Sequence, residues 1–398
     1  MEEKGLLQGV IVLDLTRVLA GPYCGMILAD MGATVIKIEN PRGGDDTRQM
    51  GPFINDNSVY YANFNRSKLG CTLNLKAPEG REIFKDLVKK ADVVLENYRP
   101  GTMEKLGLGY ETLREINPAI IYGAVSGFGH TGPLSKRAGY DIVAQAMGGL
   151  MSTTGWPDSG PTRSGTPMGD VLGGLNLAVG VLAALVNKAK TGLGEKVDVA
   201  LVDSVASAME NITMIYQATG KIPQRIGNRY ESTYPYDTFP AKDGDVVIAS
   251  GNNKLFSILC EVMGRPELVS DPKYAEIRDR VAHHEEIREI VAAWSRDYSV
   301  DEIDRMLNEA GCPACAVNTI DRLVTDPQIA VAREMFPEIE QPGIGRLHIT
   351  ACAQKMSRTK SRPRKAAPLL GEDNAGVYGE LLGFDEARLA KLKEEGTI

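Results

Sequence analysis

Residues Gly9-Val-Ile-Val-Leu-Asp-Leu15 form a short and nearly continuous apolar run. Runs of this kind are typical of strands that are covered on both faces in a parallel sheet. A predicted helix, opened by Gly21-Pro22, follows from Tyr23 to Met31, and Thr34-Val-Ile-Lys-Ile-Glu39 is the second predicted strand. This strand–helix–strand unit predicts an α/β fold built on a parallel sheet of Rossmann type.

The same alternation of strands and helices continues to about residue 216. It predicts helices over residues 78–90, 110–116, 171–186 and 201–216, and strands over residues 92–96, 119–125 and 196–199. Glycine and proline then become frequent, which is typical of a crossing between domains. A further strand is predicted over residues 245–250, and charged helices over residues 253–263, 282–295 and 300–310. We therefore predict a large Rossmann-like domain over residues 1–218, a linker over 219–235, a small α+β domain over 236–325 and a return segment over 326–398.

The composition is that of a globular enzyme with an acidic balance. The net charge of −7 disfavours a general nucleic-acid-binding protein. Six scattered cysteines without a preceding secretory signal predict reduced thiols in the cytoplasm. Neither Cys312-Pro-Ala-Cys315 nor His283-His284 has the partners of a metal site. The longest apolar run, Val171 to Val186, is shorter than the about 20 residues of a membrane span, so we expect a buried helix and no membrane.

One carboxylate stands at the head of that apolar run. The turn-forming residues Gly165-Thr-Pro167 precede Gly169-Asp170, and Gly173-Gly174 follow. Aspartate is a favoured helix N-cap, because its oxygens accept the backbone N–H groups left free in the first turn. The positive end of the helix would also stabilise developing negative charge nearby. By itself, Asp170 would be read as a plain cap.

A nicotinamide-dependent oxidoreductase is one alternative for such a fold. Glu39 ends the second strand about 20 residues after a glycine-bearing turn, where a dinucleotide fold places its ribose-binding acid. However, Ala20-Gly-Pro-Tyr-Cys-Gly25 does not match G-x-G-x-x-G, and the bulky Tyr23 stands where the backbone would have to approach a pyrophosphate. Dinucleotide binding is therefore the weaker interpretation.

Seven phrases follow one another along nearly the whole chain. They are Leu13-Asp-Leu-Thr-Arg-Val-Leu-Ala-Gly-Pro22, Gly32-Ala-Thr-Val-Ile-Lys-Ile-Glu39, Ala91-Asp-Val-Val-Leu-Glu-Asn-Tyr-Arg-Pro-Gly101, Ser126-Gly-Phe-Gly129, Gly139-Tyr-Asp141 with Gln145, Gly169-Asp170, and Pro368-Leu-Leu-Gly371. Together they resemble the class III CoA-transferase family, which includes formyl-CoA transferase and carnitine CoA-transferase. The resemblance implies a CoA-binding large domain built from both chain ends, an inserted small domain, and a homodimer of two interlocked rings.

The resemblance implies that Asp170 is a nucleophile. Its carboxylate would attack the thioester carbonyl of an acyl-CoA, form a mixed anhydride and release CoA thiolate. The thiolate would return to the aspartyl carbonyl as an enzyme–CoA thioester, from which an acceptor carboxylic acid takes the CoA. Gly169, Gly173 and Gly174 are expected to leave room for the acyl group. Coenzyme A or acyl-CoA is thus a substrate, and neither a tightly bound cofactor nor a metal is expected.

The resemblance also assigns the residues that contact the ligand. Those expected to contact CoA are Arg17, Ala20, Asn40, Leu73, Asn97, Tyr98, Arg99, Lys105 and Arg137. Those expected in the acyl pocket are Leu19, Tyr140 and Gly169. The cationic members can offer charge to phosphates, and Tyr98 offers a ring face to the adenine or pantetheine. Each cation alone would be read as ordinary surface charge.

Three departures from the family pattern narrow the function. Arg17 and Leu19 replace a His and a Gln of the members that use formate or oxalate. The glycine-rich loop of those members is reduced to Ser250-Gly-Asn-Asn253, so oxalate and formate are not expected as substrates. Tyr140 replaces the histidine of the Gly-His-Asp triplet of the related racemases. With an ordinary pKa of about 10, tyrosine is a poor base for removing an α-proton at neutral pH.

CoA transfer between carboxylic acids is the leading interpretation. An α-methylacyl-CoA racemase or epimerase, a nicotinamide-dependent oxidoreductase and a non-catalytic CoA-binding protein are the alternatives. The donor and acceptor acids stay open. Arg229, if it lay near the substrate, would favour a dicarboxylic acid.

Overall fold

A six-stranded parallel sheet organises the chain. In chain order its strands are β1 (Ile11–Asp14), β2 (Thr34–Glu39), β3 (Leu69–Thr72), β4 (Val93–Glu96), β5 (Ile121–Ser126) and β6 (Lys196–Ala200). They lie in the spatial order β3-β2-β1-β4-β5-β6, and every neighbouring pair is parallel. This is the strand order of a Rossmann fold. The predicted α/β fold with a parallel sheet is therefore confirmed.

Both faces of this sheet are covered. The consecutive residues Val12 and Leu13 of β1 are fully buried and belong to two different apolar clusters, one on each face. Because side chains alternate between faces along a strand, a run such as Val-Ile-Val-Leu can fill both clusters at once. The apolar run that opened the sequence is thus explained by its central place in the sheet.

The computed structural model describes residues 5–398, and its contacts divide the chain into two compact units. The first unit holds the chain up to residue 150 together with residues 164–211 and 328–398, and the second holds residues 151–163 and 212–327. The predicted boundaries at residues 218, 235 and 325 stay predictions. Inside the first unit, the last segment joins the sheet edge, since Asn374 Oδ1 accepts from Thr72 N at 2.8 Å and Asp373 Oδ2 from Gly70 N at 2.7 Å.

Helices connect and flank the strands. They are α1 (Ala20–Asp30), α2 (Val59–Asn65), α3 (Pro78–Val88), α4 (Thr102–Lys105), α5 (Tyr110–Ile116), α6 (Asp141–Met147), α7 (Leu150–Thr153), α8 (Met168–Thr191), α9 (Leu201–Ser207), α10 (Glu210–Thr219), α11 (Asn253–Val262), α12 (Ile277–Ala282), α13 (His284–Ser295), α14 (Val300–Ala310), α15 (Ile320–Leu323), α16 (Asn374–Leu382) and α17 (Glu386–Glu394). The helix predicted over residues 201–216 is in fact two helices, α9 and α10, because the backbone breaks at Glu210, whose φ is +46°.

The second unit carries its own antiparallel sheet. Its strands are β7 (Tyr236–Pro240), β8 (Asp245–Ala249) and β9 (Ala314–Ala316), with β8 in the middle. Phe239, Val246 and Ile248 are fully buried and pack with apolar residues of α11, α13 and α14. Two short hairpins belong to the first unit: Phe53–Ile54 with Asn57–Ser58, and Glu338–Gln341 with Gly345–His348.

Helix α8 differs from its prediction in length and start. It has 24 residues, from Met168 to a left-handed cap at Gly192, and its N-cap is Pro167. Asp170 therefore lies inside the first turn, and its expected role as the N-cap was wrong. Among the described helices, α8 alone is long and apolar enough to cross a membrane, and 39% of its most apolar window is buried. One face packs on the protein and includes Leu177 and Val181, whereas Val179 is 65% exposed.

Candidate active site

The loop after β1 is held by buried ion pairs. Lys68 Nζ donates to Asp14 Oδ2 at 2.8 Å, and Lys37 Nζ donates to Asp45 Oδ2 at 2.7 Å, with all four side chains fully buried. Lys37 also donates to the carbonyl of Thr16. Burial alone would raise the pKa of the Asp45 carboxyl, but the Lys37 ammonium holds it well below its usual range. The backbone of residues 16–18 is thus fixed by charges that water does not reach.

The same loop is fixed from β4 as well. Arg17 N donates to Asn97 Oδ1 at 2.8 Å, and Asn97 Nδ2 donates back to Arg17 O at 2.7 Å. Val18 takes a left-handed backbone with φ +67°, and its N–H donates to Asp45 Oδ1 at 3.2 Å. A β-branched residue in this conformation is strained, so the surrounding bonds must over-determine it.

A cleft of about 740 Å³ opens at the carboxyl ends of β1 to β4. In an open α/β sheet of this strand order, ligands bind at these strand ends. Five residues predicted to contact CoA line the cleft: Arg17, Asn40, Leu73, Tyr98 and Lys105. Within the first unit, the structure therefore brings together residues that are 88 positions apart in the chain.

The other four predicted CoA contacts lie outside this cleft. Asn97 forms the two hydrogen bonds with the backbone of Arg17 described above. Ala20 lies in the first turn of α1, buried against α8. Arg99 is exposed. Arg137 is also exposed, with its guanidinium 5.7 Å from the ring centre of Phe128.

Part of the cleft lining was not predicted from the sequence. Arg42, Gly43, Gly44 and Lys76 also line it. Arg42, Lys76 and Lys105 form no ion pair within residues 5–398, whereas Arg17 pairs with Asp46. The cleft thus presents three free cations to an anionic ligand. The basic, glycine-rich turn directly after β2 was a signal that could have identified Arg42.

Asp170 takes part in none of these ion pairs. It is half-buried in the first turn of α8, and its carboxylate accepts no hydrogen bond from any described residue. Burial, and secondly the negative charge of Asp141, raise the pKa of Asp170 to about 7. Neither of its oxygens accepts a hydrogen bond from the first turn of the helix. A carboxylate of this kind is more basic than usual and open to a reaction partner.

Asp141 makes the contacts that were expected of Asp170. The backbone N–H of Gly169 donates to Asp141 Oδ1 at 2.8 Å, and Gln145 Nε2 donates to Asp141 Oδ2 at 2.8 Å. Gly169 is buried, and a Cβ at this position would lie 3.1 Å from both Ala144 Cβ and Asp141 Oδ1. Gly169 therefore lies where α8 packs closely on α6, and a larger residue would press on both side chains.

The two following glycines also serve packing. A Cβ on Gly173 would lie 2.5 Å from a methyl carbon of Leu201, and one on Gly174 would lie 2.5 Å from the carbonyl oxygen of Ala20. The expectation that they leave room for an acyl group was therefore wrong, because protein atoms already occupy that space. They instead bring α1, and with it Leu19 and Ala20, against α8.

Of the other residues expected in the acyl pocket, Leu19 is buried and Tyr140 is 75% exposed directly before Asp141. Tyr60 of α2 was missed. Burial, and secondly the charge of Asp170, raise the pKa of Tyr60 to about 12, so the two side chains interact. No spacing or motif links them in the sequence, because α2 and α8 meet only in the folded chain.

Known proteins are similar to this chain over nearly its whole length. The model of CoA-transferase family III matches residues 7–374. Succinyl-CoA--D-citramalate CoA-transferase of Chloroflexus aurantiacus is 38% identical over 394 residues, which cover 98% of either chain. Acetyl-CoA:oxalate CoA-transferase of Acetobacter aceti is 43% identical over 335 residues, 84% of this chain and 86% of that one. The crystal structure of a CAIB/BAIF family protein from Brucella suis superposes with a TM-score of 0.84 at 37% identity, over 95% of this chain and 100% of that chain.

The raised pKa of Asp170 predicts a stability difference. Since the folded pKa of about 7 lies above the unfolded value, the ionised group destabilises the fold, and its stability contribution is lost as the pH rises from about 4 to about 7. Asp170→Asn should therefore exceed the parent in free energy of unfolding by about 1–4 kcal/mol at pH 8, and by less at pH 5.

Urea unfolding at pH 5, 6, 7 and 8 measures this difference. The control is Asp86→Asn in α3, which removes an equal charge from a half-exposed side chain and should show no such growth with pH. A gap between Asp170→Asn and the parent that does not widen with pH would contradict the raised pKa.

Proposed function

The chain belongs to CoA-transferase family III, and we propose that Asp170 carries its CoA transfer between an acyl-CoA thioester and an acceptor carboxylic acid. The observation that supports this role is the free carboxylate in the first turn of α8, with a pKa raised to about 7. Near neutral pH about half of the enzyme would hold it ionised, and the ionised form would be a stronger nucleophile than an ordinary aspartate.

The proposed reaction takes place at three carbonyl carbons, those of the donor acyl group, of Asp170 and of the acceptor acyl group. An oxygen of Asp170 attacks the donor thioester carbonyl, the C–S bond breaks, and CoA leaves as a thiolate. The thiolate attacks the aspartyl carbonyl of the mixed anhydride and releases the donor acid as a carboxylate. The acceptor carboxylate then attacks the aspartyl–CoA thioester, and the thiolate released from it takes the acceptor acyl group and restores Asp170. Carboxylate replaces carboxylate, so the main requirement is positioning and stabilisation of the oxyanions.

The cleft at the strand ends is the proposed site of the CoA nucleotide. Its three unpaired cations, Arg42, Lys76 and Lys105, suit the phosphates, and Tyr98 offers a ring face. The loop between β1 and α1 joins this cleft to Asp170, because Arg17 lines the cleft and Ala20 packs against α8. An extended thioester could therefore reach from one site to the other along this loop.

We also propose dicarboxylic acids as the substrate class. The relatives named above for succinyl-CoA, D-citramalate and oxalate all act on such acids. A contact of Arg229 with a second carboxylate stays a prediction. The expectation against oxalate stays a prediction, and so does a location in the cytoplasm.

Trapping of the intermediate tests the role of Asp170. With succinyl-CoA as the donor and a panel of dicarboxylic acids as acceptors, the parent should exchange CoA, and Asp170→Ala should lose at least about 10³-fold in rate. Hydroxylamine added with succinyl-CoA should modify Asp170, as read by peptide mass, and should not modify it without the donor. Exchange by Asp170→Ala at the parental rate would overturn the proposal, whereas Asp86→Asn should behave as the parent does.

A second test addresses the nucleotide cleft. Lys105→Ala should raise the KM for acyl-CoA about 3–10-fold with little change in kcat, because it removes an interaction with a part of the substrate that does not react. A donor truncated to an acyl-pantetheine should show no difference between the parent and Lys105→Ala. Lys89→Ala, an exposed lysine paired with Asp86, is the matched control. An unchanged KM for full-length acyl-CoA would contradict the proposal that the CoA nucleotide binds in this cleft.

The homodimer implied by the family resemblance is supported by an apolar surface of the first unit. Val179 and Val186 of α8 are 65% and 58% exposed, seven residues apart and thus on one helix face. Ile142 and Met147 of the neighbouring α6 are about half exposed as well. Surfaces of this kind mark protein–protein contacts.

Sedimentation velocity should therefore give twice the chain mass of 43.1 kDa. If the two chains are also interlocked, the dimer should persist on dilution to nanomolar concentration until denaturant is added. Val179→Glu with Val186→Glu should yield monomer or aggregate. A monomeric parent at micromolar concentration would contradict the proposal.

A further inference from the structure

The start of α8 is anchored by a neighbouring helix. Its N-cap residue, Pro167, has no side chain that could accept a hydrogen bond, and Gly169 N–H is bound instead by Asp141 Oδ1 of α6. The first N–H groups of a helix have no partner inside the helix, so an acceptor from elsewhere can serve as the cap. Asp141 therefore fixes the peptide between Met168 and Gly169, one residue before Asp170.

The orientation of Asp141 is itself fixed. Gln145 is fully buried, donates through Nε2 to Asp141 Oδ2, and accepts through Oε1 from Ser164 N at 3.0 Å, with Ser164 Oγ at 3.2 Å. The amide cannot turn over without placing its NH₂ group against the Ser164 N–H. The chain of bonds from Ser164 through Gln145 and Asp141 to Gly169 thus has one polarity.

Asp141 also acts on Asp170 through its charge. It is the ionisable group whose charge raises the pKa of Asp170. The other ionisable groups on the elements around α8 are paired, exposed or neutral below pH 8. Asp30 of α1 pairs with Arg66, Lys196 and Asp198 of β6 contact His130, and Asp203 of α9 is exposed. The groups whose pKa values are raised are Tyr23 and Cys24 of α1, Tyr60 and Tyr61 of α2, and Tyr122 of β5. Asp141 is therefore the carboxylate that can set the basicity of Asp170.

From this geometry we propose that Asp141 is a positioning residue of the transferase: it holds the peptide one residue before Asp170, leaves the Asp170 carboxylate free of helix bonds, and makes that carboxylate a stronger nucleophile through its own charge, with Gln145 as its orienting partner. The inference rests on the proposed function of Asp170. One aspartate caps the helix and the other reacts, so the conflict between capping and nucleophilicity in a single side chain does not arise.

Two variants separate charge from hydrogen bonding. Asp141→Asn can keep the bond from Gly169, but its NH₂ group faces the NH₂ group of Gln145. In Asp141→Asn with Gln145→Glu, the new NH₂ group donates to the glutamate, whose second oxygen still accepts from Ser164. The pair keeps every bond and the net charge, and moves the charge away from Asp170.

The expected result is a shift in the pH profile. In Asp141→Asn the rising limb of kcat/KM, set by ionisation of Asp170, should move about one pH unit lower than in the parent. In the double variant it should move in the same direction by less, because the negative charge is still one side chain away. The doubly substituted enzyme should regain the parental urea midpoint that Asp141→Asn loses. Unchanged pH profiles in both variants would overturn the proposal, even if stability fell, since a purely structural cap leaves the profile in place.

Stability gives a readout that does not need activity. Asp170→Asn is introduced once into the parent and once into Asp141→Asn, and each time the gain in free energy of unfolding is followed with pH. In the Asp141→Asn background this gain should stop growing about one pH unit lower than in the parent. If both gaps stopped widening at the same pH, the proposal would be overturned. If the parent did not exchange CoA, the proposed function itself would be contradicted. This outcome differs from an unchanged pH dependence, so the two failures are distinguishable.

Discussion

The buried pairing of Lys68 with Asp14 and of Lys37 with Asp45 is the interaction on which the site depends. These four fully buried charges are tolerated only because each has its partner, since an unpaired buried charge costs about 3–5 kcal/mol. These pairs contribute more to selecting one backbone conformation than to the net free energy of unfolding. They hold one backbone path after β1, including the strained Val18, and this path carries Arg17 into the cleft and Ala20 against α8.

Most of the sheet could be predicted from the sequence because a parallel strand covered on both faces is nearly all apolar. β2 was predicted residue for residue, and β1, β4, β5 and β6 within two residues. The edge strand β3 was missed, since Leu-Gly-Cys-Thr is short and contains glycine, which favours no strand by itself. Its pairing depends on β2 and on Asp373 and Asn374 some 300 residues later, which no local pattern reports.

The site was predicted less completely, for a related reason. Local rules assigned the cap of α8 to Asp170, but the acceptor comes from Asp141, 28 residues before Gly169. The same rules offered Gly173 and Gly174 as space for a ligand, whereas Leu201 and Ala20 fill that space. Asp170 and the five predicted CoA contacts that line the cleft were named through a resemblance carried by whole phrases. The position of the cleft at the strand ends followed from the strand order. Tyr60 and Arg42 entered only with the three-dimensional contacts.

A reactive carboxylate in a folded protein has to be held in place without being neutralised. Hydrogen bonds from the helix to Asp170 would hold it well, but they would lower its pKa and its nucleophilicity. In this chain the helix backbone is held instead of the side chain. Asp141 accepts the N–H of Gly169, and Gly173 and Gly174 pack closely against Leu201 and Ala20. The side chain then keeps its charge poorly solvated, so the folded state is less stable with Asp170 ionised than with it protonated. That local loss has to be offset elsewhere, and the sheet with its two apolar faces is the part of the fold large enough to do so.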